Sequence, residues 1–488
     1  MAQTVADLLV GVLEQIGVKH IFALIGDSLN PLADAIRRSR IEWIGVRHEE
    51  GAALAAAGQA KLTGQLAVCA GTTGPGSNHL VAGLYEASRD HAPVLALSGD
   101  MPRKLHGIDF IQTTEPDLLF RDVSLYTETV SSPAQAPTVI HQAIAAAYAG
   151  RGVAHLTLPQ DVIAAKAEGA VSSVATLRPR PELAAREADI VKMARLVDQA
   201  GSVVIMCGAG CHAAADVLRA LSDWLKAPLV HSVKGKDIMP YDDPRWMGGV
   251  GMIGTKAAYN AVMHCDMLLM VGTDYPYSNF LPTKGTVVQL DERPQALGRR
   301  APTVLGVVGS ARPSLKLLLD RVAPKDDTSF WDKVTKERRR WDEMLDKQAD
   351  PARSKERIHP QAVARAVSDP RQAQRGLHPR HGSEHTLVRQ LDPAKWITAD
   401  YRFLQQRCRG HGAWSGQRGA SARSLAPGDR SVRRWRIEHA YVRISDRGAS
   451  QAAGEGGDLQ QFGFRADPVG SGSRGPASVP ARNRISQS

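Results

Sequence analysis

The chemistry of this chain is read first from Glu49. It stands in Arg47-His48-Glu49-Glu50-Gly51-Ala52, directly after the apolar run 44–46 and at the start of a stretch with helical periodicity. A carboxyl there lies at the strand-end rim where ligands of α/β folds collect, and a helix N-terminus favours its anionic form. That placement suits general acid/base work in a partly dry site. The plain alternative is an ordinary first-turn glutamate. Further on, Gly74-Pro75-Gly76 precedes a helix starting at Ser77. Such an entry exposes backbone N–H groups, or is a tight turn chosen for positive φ. Gly208-Ala209-Gly210 follows the run 203–206 and fits the first turn of a Rossmann-like unit, although the same spacing also serves close helix–strand packing. His91, in Asp90-His91-Ala92-Pro93, is either a ligand-facing proton donor or a satisfied helix-end histidine.

The elements that must position these groups alternate along the chain. Short apolar runs at 20–24, 43–46, 66–70 and 94–98 alternate with helical patterns, and a second series has strands at 203–206, 268–271 and 286–290. Strands alternating with helices predict an α/β fold of two doubly wound parallel-sheet domains, with ligands at the carboxyl ends of the strands. The expected organisation is a first domain over 1–165, a linker over 166–189 around Arg178-Pro179-Arg180-Pro181, a Rossmann-like middle domain over 190–325, and 326–369 as a connecting helix and the start of a third domain. Residues 370–488 show no sustained period and read as a disordered or poorly packed basic tail. The five cysteines follow no CxxC or regular spacing, which argues against a disulfide scaffold or a zinc site. No residue is assigned as a metal ligand. No basic-then-apolar leader opens the chain and no run is long enough for a membrane span, so a cytoplasmic protein is expected.

Three segments carry a resemblance: Ile25-Gly26-Asp27-Ser28-Leu29-Asn30, the Arg47–Ala52 run, and Ala70-Gly71-Thr72-Thr73-Gly74-Pro75-Gly76-Ser77-Asn78. Over residues 3–369 the chain resembles the thiamine diphosphate enzymes, nearest the pyruvate oxidase and quinone-dependent pyruvate dehydrogenase branch, with acetolactate synthase a close cousin. The resemblance implies that the first domain binds the cofactor's pyrimidine. Glu49 would protonate N1′ of the aminopyrimidine, making its 4′-imino group a base for C2 of the thiazolium. Gly74 and Gly76 would line the pyrimidine pocket, and Asp27, Ser28 and Gln112 would face the substrate. Family members often carry Phe where Ile111 stands. In the middle domain, Gly251-Met252-Ile253-Gly254-Thr255, Gly272-Thr273-Asp274-Tyr275-Pro276-Tyr277 and Gln289-Leu290-Asp291 resemble the FAD-binding segments of pyruvate oxidases. Gly254, Thr255, Gly272, Thr273, Asp274, Pro276 and Asp291 would hold the flavin, although cousins keep this domain and drop the FAD.

The implied reaction is decarboxylation of a 2-oxo acid, pyruvate first, with electrons passing through FAD to a quinone or other acceptor. Acetolactate synthase-type carboligation is the alternative. The intact family assembles as homodimers or homotetramers and holds Mg²⁺ and the diphosphate on a third domain, through GDG followed by NN. No GDG occurs in this chain.

A single-base frameshift accounts for its absence. Residues 381–391 can be encoded so that the same DNA, read one base later, gives TGLNTLWSGNW; residues 429–440 give IALCGDGGLNML and residues 456–464 give VVIYNNSAF, with 24 residues between GDG and NN. The tail also holds 20 Lys and Arg against 9 Asp and Glu, leaving 41 of each sign in residues 1–369, so the whole net charge of +11 belongs to the tail. A GC-rich gene read out of frame yields such arginine, and no nucleic-acid partner is expected. The competing reading makes Arg433-Arg434-Trp435-Arg436 a nucleic-acid patch. As written, the chain is expected to be an inactive remnant with two foldable domains.

Overall fold

In the computed structural model the chain is described over residues 3–368, apart from 171, 179–181, 351 and 353–359. The tail, its arginine patch and the middle of the linker lie outside the described residues. Among the described residues, twelve strands form two six-stranded sheets. The first contains β1 (His20–Ala23), β2 (Glu42–Gly45), β3 (Ala67–Gly71), β4 (Val94–Asp100), β5 (Tyr126–Thr129) and β6 (Val153–Pro159) in the order β2-β1-β3-β4-β6-β5. The second contains β7 (Val203–Cys207), β8 (Leu229–His231), β9 (Trp246–Gly249), β10 (Met267–Val271), β11 (Thr286–Asp291) and β12 (Leu305–Val308) in the order β12-β11-β10-β7-β8-β9. Every pairing within the sheets is parallel.

The central strands β3, β4, β6, β7 and β10 are buried along their whole length, which is why β3, β7 and β10 read as apolar runs and not as alternating ones, while His155 and Thr157 break the run in β6. One face of the first sheet packs on the helices Val5–Gln15, Asn30–Arg37 and Ala136–Gly150. Its other face packs on Glu49–Thr63 and Pro75–Arg89. Glu49–Thr63 buries Ala52, Ala53, Ala55, Ala56, Ala57 and Ala60, small residues that let a helix lie close to both sheet and neighbour. The partner helix answers with Gly83, where a Cβ would come within 2.6 Å of Glu50 O and 2.7 Å of Ala53 Cβ.

Five strands were absent from the sequence reading: β5, β8, β9, β12 and the separate strand β6 at the end of the first series. β8 has three residues, and β5 and β12 are edge strands with partly exposed residues, so none carries a long apolar run. The winding changes direction between β1 and β3 in the first sheet and between β7 and β10 in the second. Those two crevices are where open α/β sheets take ligands. The domains also meet through charged side chains. Asp90 is paired with Lys61 of its own domain and with Lys234 of the middle domain, and His91 Nε2 meets the Arg293 guanidinium.

Candidate active site

The first crevice is built from the loop after β1 and the loop after β3. Gly26 is needed because a Cβ there would fall 2.3 Å from Thr72 Oγ1. Ser28, expected to face a substrate, is 2 % exposed and its hydroxyl is taken up by the neighbouring loop. Ser28 Oγ and Thr72 Oγ1 share a hydrogen bond of 2.9 Å, and Thr73 N–H donates to Ser28 Oγ at 3.1 Å. Asp27 is exposed and accepts from Ser28 N–H at 2.8 Å, while its backbone carbonyl accepts from Gln160 Nε2.

Gly74 caps the helix Pro75–Arg89 with φ 67°, a left-handed value that a glycine reaches without strain, and Pro75 occupies the first turn where no N–H is needed. The same glycine gives room to Gln112, whose carbonyl oxygen would lie 2.6 Å from a Cβ at position 74. Gln112 itself has φ 68° and is exposed at the mouth of the crevice. Thr73 Oγ1 is buried and has no hydrogen-bond partner among the described residues.

Glu49 opens its helix after β2 and is 4 % exposed. Its Oε2 accepts from His79 Nδ1 at 3.0 Å. Its Oε1 faces Gly76, where a Cβ would begin only 3.2 Å away. His48 caps the same helix by accepting from Glu50 N–H at 3.3 Å and stacks on His79, with ring centroids 4.5 Å apart. The structure thus brings Glu49, Gly74, Gly76, Ser28 and Gln112 into one crevice. It adds His79, one residue beyond the quoted Ser77-Asn78 and one helical turn before Gly83; the close approach at Gly83 is what carries it over Glu49.

His91 is not placed as a proton donor in this crevice. It has φ 54° at the domain joint, and burial, followed by Arg293 and Lys234, depresses its pKa to about 4, so the ring is neutral and its Nε2 accepts from Arg293. Burial pushes Asp90 up, but Lys61 and Lys234 together hold it down at about 2.

The second crevice joins the loops after β7 and β10. Gly210 N–H donates to Gly272 O at 3.0 Å, and a Cβ at Gly208 would strike that oxygen at 2.3 Å, so these loops touch through glycine backbone. Gly272 has φ 55°. Thr273 is buried, and its carbonyl accepts from Gln289 Nε2. Asp274 is engaged by Arg299 at 2.9 Å and Arg300 at 3.1 Å. Asp291 ends β11, is raised by burial against the bond it receives from Arg293 N–H, and is 5 % exposed. Pro276 is exposed. Thr255 caps the helix Lys256–His264 and donates to Met247 O at 2.6 Å, while a Cβ at Gly254 would lie 2.1 Å from Gly249 O. Tyr275 OH is buried without a partner among the described residues, beside Gly251 at φ 121°. A pocket next to this loop is lined by His231, Lys236, Tyr241, Gly249, Gly254 and Thr255. Lys236, which the sequence reading did not single out, is 4 % exposed there.

The family model described as "Thiamine pyrophosphate enzyme, N-terminal TPP binding domain" matches residues 3–119, and "Thiamine pyrophosphate enzyme, central domain" matches residues 190–318. The chain is 43 % identical over 350 residues to an uncharacterized 42.6 kDa protein in the isoamylase 3′ region of Pseudomonas amyloderamosa, covering 71 % of this chain and 88 % of that protein. It is 34 % identical over 369 residues to the putative thiamine pyrophosphate-containing protein YdaP of Bacillus subtilis, covering 75 % and 64 %. It is 35 % identical over 331 residues to a pyruvate oxidase of Lactiplantibacillus plantarum, covering 66 % and 54 %. The chain therefore spans less than two thirds of the last two relatives. Its two parallel-sheet domains, in this order and with Glu49 at the rim of the first, belong to the thiamine pyrophosphate enzyme family.

Proposed function

We propose that the chain carries the first two domains of an enzyme that decarboxylates a 2-oxo acid, pyruvate first, with thiamine diphosphate, and passes electrons through FAD to a quinone or other acceptor. The observation that carries this reading is the Glu49 carboxyl, buried at the first crevice with Oε2 held by His79 and Oε1 left approachable by Gly76. The pyrimidine end of thiamine diphosphate fits this crevice. Thr73 Oγ1 is an orphaned buried hydroxyl on its wall, and Gly76 leaves the space a side chain would fill. When bound, the cofactor supplies the electron sink that loss of CO₂ requires. Glu49 holds the proton shared with the pyrimidine nitrogen, Gly74 and Gly76 keep the pocket open, and Gln112 orients the substrate at the mouth. Ser28 holds the β3 loop in place, and Asp27 stands exposed beside it.

For FAD the second crevice is the candidate site. Gly254 and Gly272 let its loops close on one another through backbone, with Thr273 beside them, and Asp291 offers a carboxylate at a strand end. Thr255, Asp274 and Pro276 shape the loops around them. The orphaned Tyr275 hydroxyl supplies a hydrogen bond and Lys236 a positive charge. Mg²⁺ does not fit the described residues, because no cluster of oxygen ligands for it is found beside either crevice.

The GDG…NN segment would supply that site, and the shifted reading of residues 381–464 places it in the tail's DNA. We infer that residues from about 370 are out-of-frame translation and that the chain as written is inactive. Resequencing the DNA around codon 370 tests this: a missing or extra base restores the GDG…NN domain, the present frame with that segment shifted downstream makes the chain a pseudoenzyme, and an intact frame through Pro370 into an unrelated third domain overturns the inference. The frame-restored chain is then expected to form a homodimer or homotetramer, and to reduce an acceptor dye with pyruvate in the presence of thiamine diphosphate, Mg²⁺ and FAD. Acetolactate formation without dye reduction would transfer the assignment to carboligation.

A further inference from the structure

We propose that His48, Glu49 and His79 form a binding site for a single divalent cation of the zinc class. Each offers one ligand atom, and these atoms all lie within 4.8 Å of one another. Two imidazole nitrogens and one carboxylate oxygen make a set that Zn²⁺ accepts, whereas Mg²⁺ demands oxygen ligands. Three protein ligands leave the fourth tetrahedral position open to water.

The site is built by the packing of two helices. His48 and Glu49 are consecutive at the start of one, and His79 arrives from the other because Gly83 lets the two helices touch. The rings are stacked, centroids 4.5 Å apart at 24°, so one of them must turn before both nitrogens can aim their in-plane lone pairs at one ion. Glu49, with 5 % of its side chain exposed, supplies a negative charge in a poorly solvated place, while His79, at 46 %, keeps the site open to entering ions. On binding, His79 Nδ1 faces the cation, with its ring proton on the other nitrogen. His48 Nδ1 gives up only a long bond of 3.3 Å from Glu50 N–H.

This site does not depend on thiamine diphosphate. It competes with the proposed chemistry, because a cation on the Glu49 carboxylate makes its other oxygen a weaker base for that proton. Zinc in this crevice would therefore act as an inhibitor of the proton transfer.

The test uses the full chain as written, stripped with chelator and free of thiamine diphosphate, titrated with Zn²⁺ against a chromophoric chelator and with Co²⁺ as a spectroscopic probe. His378, His381, His385, His411, His439 and Cys408 of the tail are additional metal-binding groups, so the readout is the difference between the parent and its variants. His79→Gln and His48→Gln, each checked for a native circular dichroism spectrum, are expected to lose one equivalent of Zn²⁺ or weaken it by at least the roughly 10- to 100-fold that follows loss of an outer-shell partner. The parent is expected to show the intense absorption of four-coordinate Co²⁺, lost in Glu49→Gln. If the parent and the folded variants bind the same number of equivalents equally tightly, the proposal is overturned. Should either histidine variant misfold, a parent Co²⁺ spectrum of six-coordinate type alone overturns it.

Discussion

At the scale of single residues, burial and hydrogen bonding separate chemistry from support. In the frame-restored chain, Glu49→Gln removes the ionisable group and is expected to lower pyruvate-dependent dye reduction by about 10²- to 10⁴-fold. Its melting temperature should stay close to the parent's, since the amide keeps the shape and can still meet His79. Ser28→Ala should behave in the opposite way. Its hydroxyl is the acceptor for the buried Thr73 N–H, so its loss leaves a donor unsatisfied and costs about 1–3 kcal/mol of stability. Urea unfolding of the chain as written, in which the two domains are present, checks that value. A Ser28→Ala chain as stable as the parent would mean that the hydroxyl is not the loop's anchor.

At the scale of elements, the crevice depends on how closely two helices lie. Gly83→Val would drive two methyl groups into Glu50 O and Ala53 from 2.6 and 2.7 Å at its Cβ, and the helices must separate. Overpacking of this kind costs about 1–3 kcal/mol. The separation also withdraws His79 from Glu49, so the variant should bind Zn²⁺ more weakly than the parent in the same titration. A loss of stability with unchanged zinc binding would show that the helix ends move independently of Gly83. The glycine itself was visible in the sequence, but nothing near it marked a helix contact, because the contact is made by residues some thirty positions away.

At the scale of the whole molecule, buried histidines govern the acid response. Burial, with Arg293 and Lys234 adding to it, depresses His91 to about 4, and burial brings His155 and His231 to about 3, all from an ordinary 6.5. Unfolded, each takes up a proton below about 6.5 while the native ring stays neutral, so stability is fully present above that pH. It should fall as pH drops from 6.5 to 4, on the order of 1–3 kcal/mol for each residue. Asp90 extends the loss: its native value of about 2 lies below the usual 3.8, so the stabilisation by Lys61 and Lys234 is lost between those values. Urea midpoints measured from pH 7 to 4 check the first window. His91→Gln should flatten the slope there, and it should also loosen the joint between the domains, which the middle domain reaches through Arg293 and Lys234. Among the described residues no helix is long and apolar enough to cross a membrane.

The alternation of apolar runs and helical patterns sufficed to read two parallel sheets, because strands buried on both faces, such as β3 and β7, need unbroken apolar stretches. Edge and three-residue strands escaped the reading because they leave little local pattern, and the central strand β6 escaped it because His155 and Thr157 interrupt its apolar run. The glycines at 74, 76, 254 and 272 could be picked out as well, each where another segment of the chain approaches closely. Glu49 could be singled out only from its place after a strand together with the flanking Arg47-His48 and the Thr73–Gly76 loop; His79 could not, for a histidine on a helix announces no partner. Which histidine meets Glu49, whether Ser28 faces a substrate or braces a loop, and whether His91 carries a proton or takes a bond from Arg293 are decided by distances between segments far apart in sequence. Those distances exist only once the helices and sheets have packed.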